Sequence, residues 1–228
     1  MTRGGFDRTA GAPAAQGGAR DTTWDEGAGP VLTSPDGTAY RLVVADDGTV
    51  STVDTSLVVT DTFTRTNETP LSTADTGQAW VAFTGTGLSV VSNQCAKVTA
   101  GTQGSVIDAD LADCEVSVDV VSNPQDSTSD NVLLRAADAN NYLALRLSTG
   151  ALIQVVAGAT TTLGTLSGGA PLDGQTIAVR LNGTAVQVFR DGVSGLSVTT
   201  TLTTGDRHGL RVGTPDPLVF DNFTVRAL

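Results

Sequence analysis

Short β-type runs recur every 8 to 14 residues from Asp61 to the C-terminus, and this spacing narrows the possible folds more than any other feature of the sequence. The runs cover 88–91, 114–121, 132–135, 142–147, 152–156, 176–181, 185–189, 210–212 and 220–225. Turn residues punctuate them and no long 3.6-residue period intervenes, so the pattern predicts an all-β, antiparallel jelly-roll-like sandwich over residues 61–228. Alternation assigns faces. Val116, Val118 and Val120 point one way, with Asp113, Glu115, Ser117 and Asp119 opposite. Val186 and Val188 likewise point to a core. Asn182-Gly183 predicts a type I′ hairpin turn, which needs two residues at φ > 0.

The segment before Asp61 reads differently. Residues 1–30 are rich in Gly, Ala and Pro without periodicity, which predicts a flexible arm. Residues 31–60 carry two β-rich runs, Tyr40 to Val44 and Thr49 to Val53, joined at Asp46-Asp47-Gly48 and preceded by the turn Ser34-Pro35-Asp36-Gly37. Together they predict a β-hairpin, which is marginal alone and needs a partner surface. Homo-oligomerisation is the simplest way to supply one.

Charge and inventory exclude several functions. A net charge of −11 argues against nucleic acid as a partner and against an anionic membrane surface. No run of 18 apolar residues exists, and the first residues lack an apolar h-region, so neither a membrane span nor Sec-type export is expected. Lys97 is the only lysine while Ala, Gly, Val, Thr and Asp abound, a bias expected of a GC-rich bacterial-type genome. Cys95 and Cys114 are expected as buried free thiols or, if their strands adjoin, as a bridge.

Catalysis has little to work with. His208 is the one histidine, and it has no nucleophile-elbow serine near it. The three glutamates, Glu26, Glu68 and Glu115, lie in separate segments, whereas retaining glycoside cleavage needs two carboxyl groups about 5 Å apart. A non-enzyme is therefore expected. Zinc is excluded by ligand spacing, but a structural Ca2+ needs only oxygen ligands. Asp61 and Asp221 would supply them if the first and last strands of the sandwich pair. For a sugar ligand, the polar loop around Arg135, Asp138 and Asn141, with Tyr142 and Arg146, offers an aromatic ring among planar hydrogen-bonding groups. A turn-shaping role for the Asn pair is the competing reading.

Five motifs recur in order along residues 61–228: Asp61-Thr62-Phe63-Thr64-Arg65, Asp75-Thr76-Gly77-Gln78-Ala79-Trp80, Arg135-Ala136-Ala137-Asp138 with Asn141-Tyr142, Gly205-Asp206-Arg207-His208-Gly209-Leu210, and Phe220-Asp221-Asn222-Phe223. Taken together they resemble the concanavalin A-like (LamG-like) modules of bacterial and phage surface proteins. The resemblance implies the same sandwich, with the first and last motifs on adjacent strands. Leu88 and Leu133-Leu134 depart from the family pattern. The stretch Leu32 to Val44 is similar to a hairpin of phage tail, fibre and head-decoration proteins. These likenesses imply a non-enzymatic virion surface protein, a minor tail or capsid-decoration component. Its N-terminal arm would engage other virion proteins, and its sandwich would face host-surface carbohydrate. A free bacterial carbohydrate-binding or adhesion protein is the alternative, and a glycoside-processing enzyme a third reading.

Overall fold

The computed structural model describes residues 31–33, 39–44, 50–54, 56–214 and 218–228. The expected arm of residues 1–30 and the turns at Ser34-Pro35-Asp36-Gly37 and Asp46-Asp47-Gly48 lie outside the described residues. The chain divides into two units between Val53 and Asp54. Strands β1 (Val31–Thr33), β2 (Ala39–Val44) and β3 (Val50–Asp54) form a three-stranded sheet in that order. The expected hairpin thus has a third strand, β1, antiparallel to β2 with Leu32 opposite Tyr40.

In the larger unit every regular element among the described residues is again a strand. In chain order they are β4 (Leu57–Asp61), β5 (Trp80–Thr84), β6 (Ser89–Val91), β7 (Gln94–Ala96) and β8 (Gln103–Asp108). Then come β9 (Cys114–Ser122), β10 (Asn131–Asp138), β11 (Asn141–Arg146), β12 (Ala151–Val156) and β13 (Ala159–Thr165). The last five are β14 (Gln175–Asn182), β15 (Ala185–Arg190), β16 (Val193–Thr199), β17 (Arg207–Val212) and β18 (Val219–Ala227). They build two antiparallel sheets. One has seven strands in the order β13-β12-β11-β10-β17-β8-β5; the other runs β16-β15-β14-β9-β18-β7-β6, with β4 also on β18.

Alternation buries one face of each sheet against the other. Val116, Val118 and Val120 of β9 have no exposed surface, nor do Val186 and Val188 of β15, as their spacing predicts. From the seven-stranded sheet, Val132, Leu134, Leu143, Leu145, Leu210 and Val212 join the same core. The fold is the jelly-roll-like sandwich expected. The β14–β15 hairpin also forms, but Asn182 pairs with Ala185 and closes the ladder. Its loop is therefore Gly183-Thr184, with Gly183 at φ 53° as its left-handed residue, and not the expected Asn-Gly pair. Tertiary contacts set that shape: the Gly183 N–H donates to Asp113 Oδ1 and its carbonyl accepts from Arg135.

The start and end of the sandwich meet as the motifs imply. β4 lies against β18, with Asp61 opposite Phe223. Asp61 has no exposed surface, so its charge needs internal partners. Its Oδ1 accepts from the Phe63 amide at 2.8 Å and Arg65 Nη1 at 2.6 Å. Its Oδ2 accepts from Arg65 Nη2 at 3.1 Å and Trp80 Nε1 at 2.7 Å. The Trp80 ring then packs on Phe63 and Phe223, with centroids 6.2 and 5.1 Å away. A protein of residues 54–228 is therefore expected to unfold in one cooperative urea transition. Starting at Thr62 instead deletes β4 and leaves the Arg65 and Trp80 donors without Asp61, a loss of about 3–5 kcal/mol. Equal midpoints for the two proteins would show that β4 holds nothing together.

Candidate functional site

Arg135 sits where β10 is bulged, between Leu134 and Asp138, at φ 45°. A bulge re-aims a side chain. Here it turns the guanidinium inward, with no exposed surface. Its Nε donates to Ala112 O at 2.8 Å, and Nη1 to Gly183 O at 2.8 Å and Leu202 O at 2.7 Å. Nη2 bonds Asp113 Oδ1 at 2.6 Å. Arg135 thus ties together three loops, a correction to its expected place in a ligand site, because a guanidinium turned inward and held by three carbonyls and Asp113 points away from the outer face. Burial draws its pKa down, and Asp113 pulls it back up.

His208 lies beside it. Its Nδ1 is 3.4 Å from the Arg135 amide, which donates to it, and its Nε2 is 2.8 Å from Leu111 O. A carbonyl only accepts, so the proton is on Nε2 and the ring is neutral. Cys114 Sγ is 3.4 Å from the same Nε2. Both cysteines are buried and free. Burial pushes the Cys114 thiol up to about 12 and raises Cys95 well above its ordinary value, so neither is a nucleophile.

The other expected ligand residues fall on or beside the outer face of the seven-stranded sheet. Asp138 and Asn141 form the exposed β10–β11 turn: Asp138 accepts from the Asn140 amide and from Asn141 Nδ2, and these bonds hold its carboxyl below the usual range. That is the turn-shaping geometry. Tyr142 is only 7% exposed. Its hydroxyl is 3.2 Å from Arg211 Nη1, the Arg211 guanidinium stands 5.4 Å over its ring, and Phe83 meets it edge-on at 5.6 Å. Phe83 belongs to β5 and Tyr142 to β11, four positions apart in the sheet, about 19 Å if it were flat. Contact between their rings requires the sheet to curl toward this face.

On that concave face lies a second apolar cluster: Val106, Leu133, Ala136, Tyr142, Ala144, Ile153 and Val155, with Phe83 packed on it. Polar groups rim it. Arg207 donates to the Ala136 and Ala137 carbonyls. Arg146 of β11 pairs with Asn131 of β10, and Asn131 with Arg211 of β17. Asn131 has no exposed surface, and neither its amide nitrogen nor its oxygen finds a partner among the described residues; nor does Arg146 Nε. Sequence reading missed Asn131, Arg207, Arg211 and Phe83. Only the alternation Asn131, Leu133 could have put Asn131 on this face.

The calcium expectation meets a different geometry. Asp61 and Asp221 do lie on the paired strands β4 and β18, but all four acceptor positions of Asp61 are filled by protein donors. No lone pair of Asp61 is left for a cation. Burial, with Asp119 and Asp61 nearby, raises the Asp221 carboxyl. Asp108, Asp110 and Asp206 do bring carboxylate oxygens within 4.8 Å of one another, all exposed. On the eight-stranded sheet, Glu115 pairs with Arg180 at 2.8 Å, and Asp119 accepts from Thr176 Oγ1 and Asn222 Nδ2.

No family model matches the sequence, and no curated protein matches it. Solved structures do match by shape. The carbohydrate-binding module CBM66 from Bacillus subtilis is similar over 65% of this chain and 95% of its own, with a TM-score of 0.51 at 15% identity. SCLam, a non-specific endo-β-1,3(4)-glucanase of family GH16, covers 75% of this chain and 90% of its own, with a TM-score of 0.50 at 9% identity. The GH43 protein BlXynB from Bacillus licheniformis covers 88% of this chain at 11% identity and a TM-score of 0.51, but the chain spans only 53% of it. These likenesses show the fold alone, a jelly-roll sandwich of two antiparallel sheets.

Burial lowers the His208 pKa from 6.5 to about 4. The unfolded chain takes up this proton near pH 6.5 and the folded one only near pH 4, so stability is whole above 6.5 and falls as pH drops between the two. The full loss is about 3 kcal/mol. Melting temperatures followed from pH 7.5 to 4 should fall more steeply for the wild type than for His208→Gln, which removes the titration. Parallel curves would show that His208 is not protonated on unfolding.

Proposed function

We propose that the larger unit is a non-catalytic carbohydrate-binding module whose ligand lies on the concave outer face of the seven-stranded sheet. One observation carries this reading: on the outer face of the seven-stranded sheet, half-buried Phe83, Arg146, Arg207 and Arg211 surround a buried apolar cluster that includes Tyr142, and Asn131 and Arg146 keep polar atoms without a partner among the described residues. Sugars are recognised by apolar and aromatic surface combined with a small number of convergent planar donors and acceptors. The likeness to a carbohydrate-binding module along nearly its whole length supports the same reading.

Hydrolysis is the reading that the glucanase and GH43 likenesses invite. Against it, Glu115 and Asp119 are on the other sheet and are engaged with Arg180, Thr176 and Asn222. The Asp108, Asp110 and Asp206 carboxylates are all exposed, whereas a general acid is kept protonated by an apolar or buried setting. Placement on a phage particle draws no support from the fold likeness. The free bacterial carbohydrate-binding alternative suits it better.

Affinity electrophoresis through gels containing soluble polysaccharides tests the proposal. Retardation by at least one glycan, with no reducing ends released on prolonged incubation, is the expected result. Absence of retardation by every glycan would overturn the binding reading. Steady release of reducing ends, abolished by Glu115→Gln, would overturn the non-catalytic one.

A further inference from the structure

Arg146, Asn131 and Arg211 occupy one row across β11, β10 and β17, as direct register partners. The next position in the row, on β8, is Gly104, whose missing side chain leaves room for Arg211: a Cβ there would stand 3.2 Å from Arg211 Cγ. Arg211 crosses β10 to reach Tyr142, while its Nε donates to Ser129 O at 3.2 Å. Neither Arg146 nor Arg211 forms an ion pair with a described residue. Asp130 Oδ1 accepts from the Gly213 amide at 2.7 Å, while its Oδ2 is buried without a hydrogen-bond partner among the described residues; burial raises its pKa, and attraction to Arg211 works against that. Between the two cations, fully buried, is the Asn131 amide with its nitrogen and oxygen both unpartnered among the described residues.

Folding gains nothing from an orphaned amide beside two guanidinium groups that form no ion pair; an apolar residue of the same size would cost less there. We propose that this row is the anion subsite of the glycan face, and that it takes the carboxylate of an acidic sugar. The inference rests on the carbohydrate-binding reading. Guanidinium groups match the planar carboxylate in paired hydrogen bonds. The Asn131 amide has no exposed surface, so it bonds to the ligand only once the Arg146 and Arg211 side chains swing over to the carboxylate. Inorganic phosphate brings no sugar hydroxyl for the Asn131 oxygen; a sulfated sugar does, and the titration below separates it from the carboxylate. The opposite end of the face carries Asp108 and Asp206 beside Arg207, so the positive row is local in a chain of net charge −11.

Calorimetric titration of the full chain with four probes tests it: tri-galacturonic acid, its methyl ester, neutral xylotriose and a sulfated galactan oligosaccharide. The free acid should bind at least tenfold more tightly than the ester, and Arg146→Gln should remove that difference. Asn131→Leu should weaken binding of the acid yet raise Tm, by about 2–4 °C. Equal binding of acid and neutral sugars, unmoved by Arg146→Gln, would overturn the anion subsite and leave the carbohydrate reading intact. Preference for the sulfated probe would overturn the carboxylate assignment. Binding of none of the four, or a lowered Tm in Asn131→Leu, would also overturn the subsite; only the former counts against the carbohydrate reading as well.

Discussion

A carboxylate taken out of water costs several kcal/mol unless donors replace the lost hydration. Asp61 is fully buried at the junction of the first and last strands of the sandwich, and donors from Phe63, Arg65 and Trp80 replace its water. The same bonds fix the ring of Trp80 between Phe63 and Phe223. Glu68 extends the network through Arg65 Nε and the Ser72 hydroxyl, and these bonds lower its pKa against the opposing effect of burial. The β4–β18 register then carries the placement of β18 against β9, the middle of the eight-stranded sheet.

A second buried charge organises the opposite side. The bulge in β10 sends Arg135 to carbonyls at Ala112, Gly183 and Leu202, all in loops that lead into or out of the eight-stranded sheet. His208 on the neighbouring strand β17 accepts from the Arg135 backbone, so its neutral ring is part of the same arrangement. Removing Arg135 from the outer face has a functional consequence. Beyond the bulge, that face keeps Ala136, which leaves the apolar cluster around Leu133 and Tyr142 uninterrupted by a guanidinium in its middle.

Much of the sandwich was legible in the sequence because alternation is a local signal. Val116, Val118 and Val120 announce a half-buried strand wherever they occur, and Asp61 with Phe63, and Trp80, stand in two of the motifs that carry the resemblance, though their contact was not read. The candidate site was legible only in part. Tyr142 and Arg146 were found from local composition, since an aromatic ring among amides and arginines is visible in one stretch of chain. Arg135 was misread because a bulge reverses the direction that alternation would give it. Asn131 and Arg211 were missed because their meaning comes from register: 80 positions apart in sequence, they are partners on adjacent strands. The hairpin at Asn182-Gly183 was placed correctly, but its inner loop shifted by one residue under the pull of Asp113 and Arg135.

The account places binding on one sheet face, and amide chemical shifts of the isotopically labelled protein report that face directly. Titration with a glycan that the protein retains should move the amides of Asn131, Leu133, Tyr142, Ala144 and Arg211, on β10, β11 and β17, and leave those of Glu115, Ser117 and Arg180 in place. Shifts centred on β9 and β14, or confined to the exposed Asp138–Asn141 turn, would contradict it.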